Sequence, residues 1–228
     1  MVDPRAQRQT MVAVSGGSGG AGLMELMLIR HALPMPAADS RDPGDPGLGE
    51  EGRRQAELVA MRLAEMGPWD ALYCSPQARA LETAAPIAQR AGLDVTVRDG
   101  LAEFDWGKAD YIHFEELAKP GNTMMAKFAR EDFSDYGTTA EEIRAKAIDA
   151  VEQIVAHHAG GRVMVVTHGT VVNGFVGGFL GARKLVFHHP HYTGLTLVQA
   201  SRKGHREVVC LNESAHLRLL QTATVNGE

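Results

Sequence analysis

Five residues of this chain, Arg30, His31, Arg79, Glu103 and His168, are of types that together can hold a phosphoryl group and move it. The two guanidinium groups keep their charge at any working pH and present planar donor forks that match tetrahedral oxyanions. The two imidazoles can serve as nucleophile or as donor near neutrality, and the carboxyl can carry a proton to a leaving oxygen. The set can grip a dianionic phosphate without a metal. Taken one at a time, each has an ordinary structural reading. Arg79 could pair with Glu82 across one helical turn, Glu103 could be a solvated loop acid, and His168-Gly169 could be a plain strand-to-helix turn. What raises the five above those readings is where the surrounding pattern places them.

Glu25 to Ile29 is a mostly apolar run that suits a buried strand, and it ends on Arg30-His31. Arg162 to Thr167 is rich in valine, reads as a buried parallel strand, and ends on His168-Gly169 before a helix near Val171. Asp70 to Cys74 reads as another strand. Ser75 as N-cap and Pro76 at the first helical position predict a helix to about Arg90, with Arg79 in its first turn. A short strand at Val95 to Val97 leads into the loop that carries Glu103. In open α/β sheets ligands sit beyond the carboxyl ends of strands, and all five residues are predicted there.

The remaining pattern supplies the frame. Ala56, Val59, Ala60, Leu63 and Met66 recur at helical spacing, as do Ile143, Ala147, Val151, Ile154 and Val155 after a capping box of Thr139 and Glu142. Strands at about Thr193 to Gln199 and Arg206 to Leu211 close the chain. Alternating strands and helices predict an α/β fold, a three-layer α/β/α sandwich around a mostly parallel sheet. Residues 1–22, rich in glycine and serine near their end, are expected to be a flexible leader. Residues 23–228 then form a single domain with a helical lid insertion near 105–137.

With these elements in place, the chain resembles the histidine phosphatase superfamily, phosphoglycerate mutase-like, in the branch with a glutamate general acid. The resemblance rests on Leu28-Ile29-Arg30-His31, on Leu48-Gly49-Glu50-Glu51-Gly52-Arg53-Arg54-Gln55-Ala56, and on Cys74-Ser75-Pro76-Gln77-Ala78-Arg79-Ala80-Leu81-Glu82-Thr83-Ala84. Leu101-Ala102-Glu103-Phe104 and Val166-Thr167-His168-Gly169 follow in order, and the likeness spans roughly residues 24 to 217. It implies that His31 is the nucleophile, its other nitrogen held by a backbone carbonyl. Arg30 and Arg79 would clamp phosphoryl oxygens, and His168 would donate to one of them, either protonated or firmly hydrogen-bonded. Glu103 would be the general acid, its pKa raised near Phe104 and Trp106, with Asp105 as the alternative acid. Ala32-Leu33-Pro34-Met35-Pro36 stands where the mutases carry a glycine and an asparagine loop, which favours hydrolysis of a small phosphorylated metabolite over a cofactor-dependent phosphoglycerate mutase or a catalytically weak phospho-ligand binding protein. The resemblance also carries an expectation of a homodimer.

A formal net charge of -5 gives no general attraction to nucleic acid or anionic membranes, so the anion site has to be built locally. Cys74 and Cys210 form neither a disulfide framework nor a metal cluster, and with no signal segment or membrane span in view the expected compartment is cytoplasmic. His188, His189 and His191 lack an accompanying acid or cysteine at familiar spacing and are expected at a loop or pocket rim. No cofactor and no metal are expected. The rim of the pocket is expected to be apolar, lined by Phe104, Trp106, Tyr111, Ile112 and Phe114.

Overall fold

The computed structural model describes residues 22–109, 111 and 123–218. The expected leader, apart from Gly22, therefore lies outside the described residues, as do Ile112 and Phe114. Six strands form one sheet: β1 (Met24–Arg30), β2 (Ala71–Cys74), β3 (Val95–Val97), β4 (Arg162–Thr167), β5 (Leu195–Ala200) and β6 (Arg206–Glu213). Their spatial order is β3-β2-β4-β1-β5-β6. The first four are parallel to one another, and β5 and β6 are antiparallel additions on the β1 side.

The helices are α1 (Glu50–Met66), α2 (Ala78–Ala91), α3 (Thr123–Ala129), α4 (Ala140–His157) and α5 (Gly169–Leu180). Because side chains alternate along a strand, β1 and β4 are apolar on both faces and bury two separate cores. Leu26, Leu28, Val163 and Val165 pack against α4 and α5, whereas Met27, Ile29, Met164 and Val166 pack against α1 and α2. The sandwich has the three layers expected. No helix among the described residues is long and apolar enough to cross a membrane.

Two local readings, the start of α2 with its cap and the start of β5, need correction. Helix α2 begins at Ala78, not Pro76, and Ser75 does not cap it. Asp45, from the loop before α1, accepts the Ala78 amide at 3.0 Å, and the Ser75 hydroxyl is engaged elsewhere. The helical pairing of Arg79 with Glu82, which the strand-end setting disfavours, does not form; the Glu82 carboxylate accepts the Leu48 amide at 2.9 Å. The strand expected from Thr193 begins at Leu195, because Thr193 is in the left-handed region at φ 55°. The capping box of Thr139 and Glu142 forms at the head of α4 as expected.

The turn after His31 packs tightly onto α1 and α2. The Ala32 amide donates to Thr83 Oγ1 at 2.9 Å and the Leu33 amide to Gln55 Oε1 at 3.0 Å. Gly52 lets that turn approach: a Cβ there would lie 1.9 Å from the Leu33 carbonyl oxygen. Since the obstacle is backbone, Gly52→Ala is expected to destabilise the fold by about 3 kcal/mol, the upper end of the range for overpacking. A lower urea midpoint with an unchanged slope is the readout.

Candidate active site

Strand register brings the two histidines together. Arg30 pairs with Thr167 across β1 and β4, so the next residue on each strand, His31 and His168, leaves the sheet edge side by side. The His31 amide donates to the Thr167 carbonyl at 2.9 Å, and the two rings lie 5.0 Å apart between centroids. Cys74 pairs with Val166 on the other side of β4, which places Ser75 next to His168. This is the point in the sheet where β1 turns to an antiparallel neighbour and β4 to a parallel one, the setting in which α/β folds place their ligands.

His31 is 2% exposed and its Nδ1 lies 2.8 Å from the Ala32 carbonyl oxygen. A carbonyl can only accept, so the proton sits on Nδ1 and the lone pair on Nε2. His168 is fully buried, its Nε2 2.7 Å from Ser75 Oγ. Burial holds its ring well below the ordinary pKa, with repulsion from Arg79, His31 and Arg30 adding to the effect. His168 therefore rests neutral and firmly hydrogen-bonded, the second of the two states expected. Ser75 Oγ accepts the Gln77 amide at 3.3 Å and can donate its own proton to His168 Nε2. With Ser75 donating, the ring proton is on Nδ1, a buried atom that has no hydrogen-bond partner among the described residues.

Both arginines are anchored by aromatic rings. The Arg30 guanidinium stacks 4.0 Å from the Tyr192 ring and donates from Nη1 to the Pro190 carbonyl at 2.6 Å. Arg79 has no exposed surface and lies 4.3 Å from the Tyr111 ring. It donates from Nη2 to Asp105 at 3.2 Å and stands 3.6 Å from Asp45. Among the described residues Arg30 Nε, Arg79 Nε and Arg79 Nη1, like His168 Nδ1, are buried and have no hydrogen-bond partner.

The loop carrying Glu103 is tied down over the end of β4. Thr167 Oγ1 donates to the Leu101 carbonyl at 2.8 Å, and Gln77 Oε1 accepts the Glu103 amide at 2.8 Å. The Glu103 carboxylate accepts from Thr170 Oγ1 and, at 3.3 Å, from the Thr170 amide in the first turn of α5. Burial pushes this carboxyl from its ordinary 4.5 up to about 7, and the neighbouring Asp105 carboxylate pushes the same way. The Thr170 amide and Arg79 offset part of that rise. Asp105, the alternative acid, is held by Arg79 and by Gln77 Nε2 at 3.0 Å.

All five residues predicted from the sequence except His168 line one cavity of about 270 Å³, and His168 sits directly behind it against His31. Phe104 and Tyr111 line it as expected. Trp106 does not: it is 42% exposed and lies outside the lining, whereas Asp105 before it is held by Arg79. His188 and His189 are on the cavity wall. His191 bonds Ser214 outside it, and among the described residues no cluster of histidine, cysteine or acidic side chains is arranged to hold a metal. The sequence reading missed Gln77, Thr170 and Tyr192, and assigned Ser75 to a helix cap. Gln77 and Thr170 each neighbour a recognised motif residue, but only strand register and loop packing reveal what they contact.

The model of the histidine phosphatase superfamily (branch 1) matches residues 26–214. A metal-independent phosphoserine phosphatase of Arabidopsis thaliana is 31% identical over 155 residues, covering 65% of each chain. The bifunctional protein Rv2228c of Mycobacterium tuberculosis is 27% identical over 209 residues, which are 89% of this chain and 57% of that protein, so the chain spans little more than half of that longer relative. Among solved structures, a phosphoserine phosphatase of Entamoeba histolytica in complex with phosphoserine is 25% identical, with a TM-score of 0.68 over 85% of this chain and 99% of its own. The match over nearly all of the described sheet, with the paired histidines at its carboxyl edge, means that the chain belongs to branch 1 of the histidine phosphatase superfamily.

Proposed function

We propose that the chain hydrolyses phosphate monoesters of small metabolites through a phosphohistidine on His31. The observation that carries this reading is that the residues around the His31 ring hold four buried nitrogens, Arg30 Nε, Arg79 Nε, Arg79 Nη1 and His168 Nδ1, with no hydrogen-bond partner among the described residues. Buried donors are nearly always satisfied, and a tetrahedral oxyanion would satisfy this group together. The phosphoserine phosphatases among the relatives support hydrolysis over mutase chemistry.

In the first step, the His31 Nε2 lone pair attacks phosphorus in line and the P–O bond to the alcohol breaks as the N–P bond forms. Glu103 gives its proton to the departing oxygen. The His31 Nδ1–H bond to Ala32 steadies the charge that grows on the ring, and the arginines and His168 hold the equatorial oxygens. In the second step Glu103, now a carboxylate, takes a proton from water as its oxygen attacks phosphorus. The N–P bond breaks, and phosphate and neutral His31 result. Trapping of a base-stable phosphoenzyme by alkaline denaturing quench, lost on later acid treatment, together with a panel of metabolite phosphates assayed with a chelator present, tests the reading. Turnover without any such intermediate would overturn it.

The raised Glu103 pKa sets a pH dependence. The donor must be protonated for the first step, so kcat/KM for alkyl phosphates is expected to fall above about pH 7. Glu103→Gln should lower kcat/KM for those esters by roughly 10²- to 10⁴-fold and remove this limb, with a far smaller loss on p-nitrophenyl phosphate, whose leaving group needs no proton. Stability moves with the same group. Between the ordinary 4.5 and about 7 the folded state binds a proton that the unfolded chain has lost, so unfolding free energy falls as pH rises through that window.

A further inference from the structure

We propose that this site selects esters whose leaving alcohol is apolar or aromatic and carries no carboxylate, an inference that rests on the phosphatase reading above. Glu103 and Phe104 line the same cavity, so the carbon chain of a leaving alcohol protonated by Glu103 has the Phe104 ring as a wall beside it. That ring meets Phe133 edge-on at 5.1 Å and Phe128 at 5.7 Å, and Phe128 stacks on Phe133 at 5.5 Å. Met125 and Val186 extend the surface on the cavity wall. The rings are backed by a separate buried cluster that includes Ile143 and Leu185, so the surface is fixed, not a loose flap. Burying apolar carbon against such a wall favours a ligand roughly fourfold per methylene.

Among the described residues, the charged groups that line the cavity away from the phosphoryl end do not suit a carboxylate. Glu131 is the acid there, fixed by accepting the Leu185 amide, and it would face a substrate carboxylate across the cavity. His188 supplies no cation. Asn173 Nδ2 donates to the Gly169 and His188 carbonyls, which turns Asn173 Oδ1 to accept His188 Nδ1–H at 2.9 Å, and burial keeps that ring neutral, at about 4. Lys184 is exposed and donates to the Ala129 carbonyl at 3.0 Å, and His189 is exposed as well. Exposed cations give weak pairing because water screens them. Arg30 and Arg79 are committed to the phosphoryl end.

The test compares kcat/KM for 2-phenylethyl phosphate, O-phospho-L-serine and 3-phosphoglycerate, all esters of alcohols, so that leaving-group chemistry is similar. The serine hydroxyl is the more acidic, which sets intrinsic reactivity against the expected outcome. Phenylethyl phosphate is expected to be favoured by at least tenfold over both carboxylated esters. Phe128→Ala should lower that ratio about tenfold, and Glu131→Gln should lower it several-fold by improving the carboxylated esters. A ratio is insensitive to the fraction of each variant that folds. A smaller preference, or one that Phe128→Ala leaves in place, overturns the inference while the phosphatase reading stands. Absence of His31-dependent turnover on every ester brings down both.

Discussion

His31→Ala is expected to abolish turnover, with a loss on the order of 10⁵-fold or more, and to remove the acid-labile phosphoenzyme altogether. The reason is that no other group can take over bond formation to phosphorus. His168 is fully buried beside His31, and its Nε2 is bound to Ser75. The arginines, His168 and Glu103 remain in the variant, so it should still bind inorganic phosphate or vanadate. Single-turnover assays with an alkaline denaturing quench, beside a vanadate titration, separate these two effects. A variant that retains turnover within tenfold of wild type would assign the nucleophile elsewhere. The change is expected to cost little stability, because the Nδ1 bond to Ala32 is local and the His31 backbone contact to Thr167 does not depend on the side chain.

Arg79→Ala is expected to damage both activity and fold. This guanidinium is fully buried between Asp105 at 3.2 Å and Asp45 at 3.6 Å, and its removal leaves two carboxylates without their counter-charge. Breaking a buried pair in this way costs about 3–5 kcal/mol, a large share of the stability of a domain this size. Loss of a preorganised clamp on the phosphoryl oxygens should lower kcat by roughly 10²- to 10³-fold in the molecules that do fold. Asp105→Asn in the Arg79→Ala background separates the two roles, since it should recover part of the stability and none of the turnover. Arg79→Lys keeps a charge but not the fork, and is expected to fall between wild type and Arg79→Ala in both measurements. Urea unfolding and vanadate inhibition are the readouts.

The resemblance motifs contain more than chemistry, and the structure gives the other residues their reasons. Thr83 accepts the Ala32 amide and donates to the Arg79 carbonyl, so one side chain ties the turn after the nucleophile to the arginine helix. Glu82 and Gln55 hold the loops on either side of that turn through the Leu48 and Leu33 amides. Gly52 admits the Leu33 carbonyl. These contacts explain why residues with no reactive role recur in the same runs as Arg30, His31 and Arg79. The geometry of the site depends in part on backbone groups that these side chains hold.

Much of this protein is determined by local pattern. Valine-rich and apolar runs that end in Arg30-His31 and Thr167-His168 define β1 and β4 and place both histidines at strand ends, because an unbroken apolar strand is stable only when covered on both faces. Helical periodicity and the Thr139–Glu142 box define α4 in the same local way. What the sequence alone left open was each side chain's partner across the chain. Ser75 reads locally as a cap, yet the register of β2 against β4 sets it beside His168, and Asp45 from a remote loop caps α2 instead. Asp105 and Glu103 are two residues apart and locally equivalent as acids. Only the folded chain turns one toward Arg79 and the other toward Thr170 in a buried wall, and burial with its neighbouring charges is a property of the packed molecule that no short stretch of residues contains.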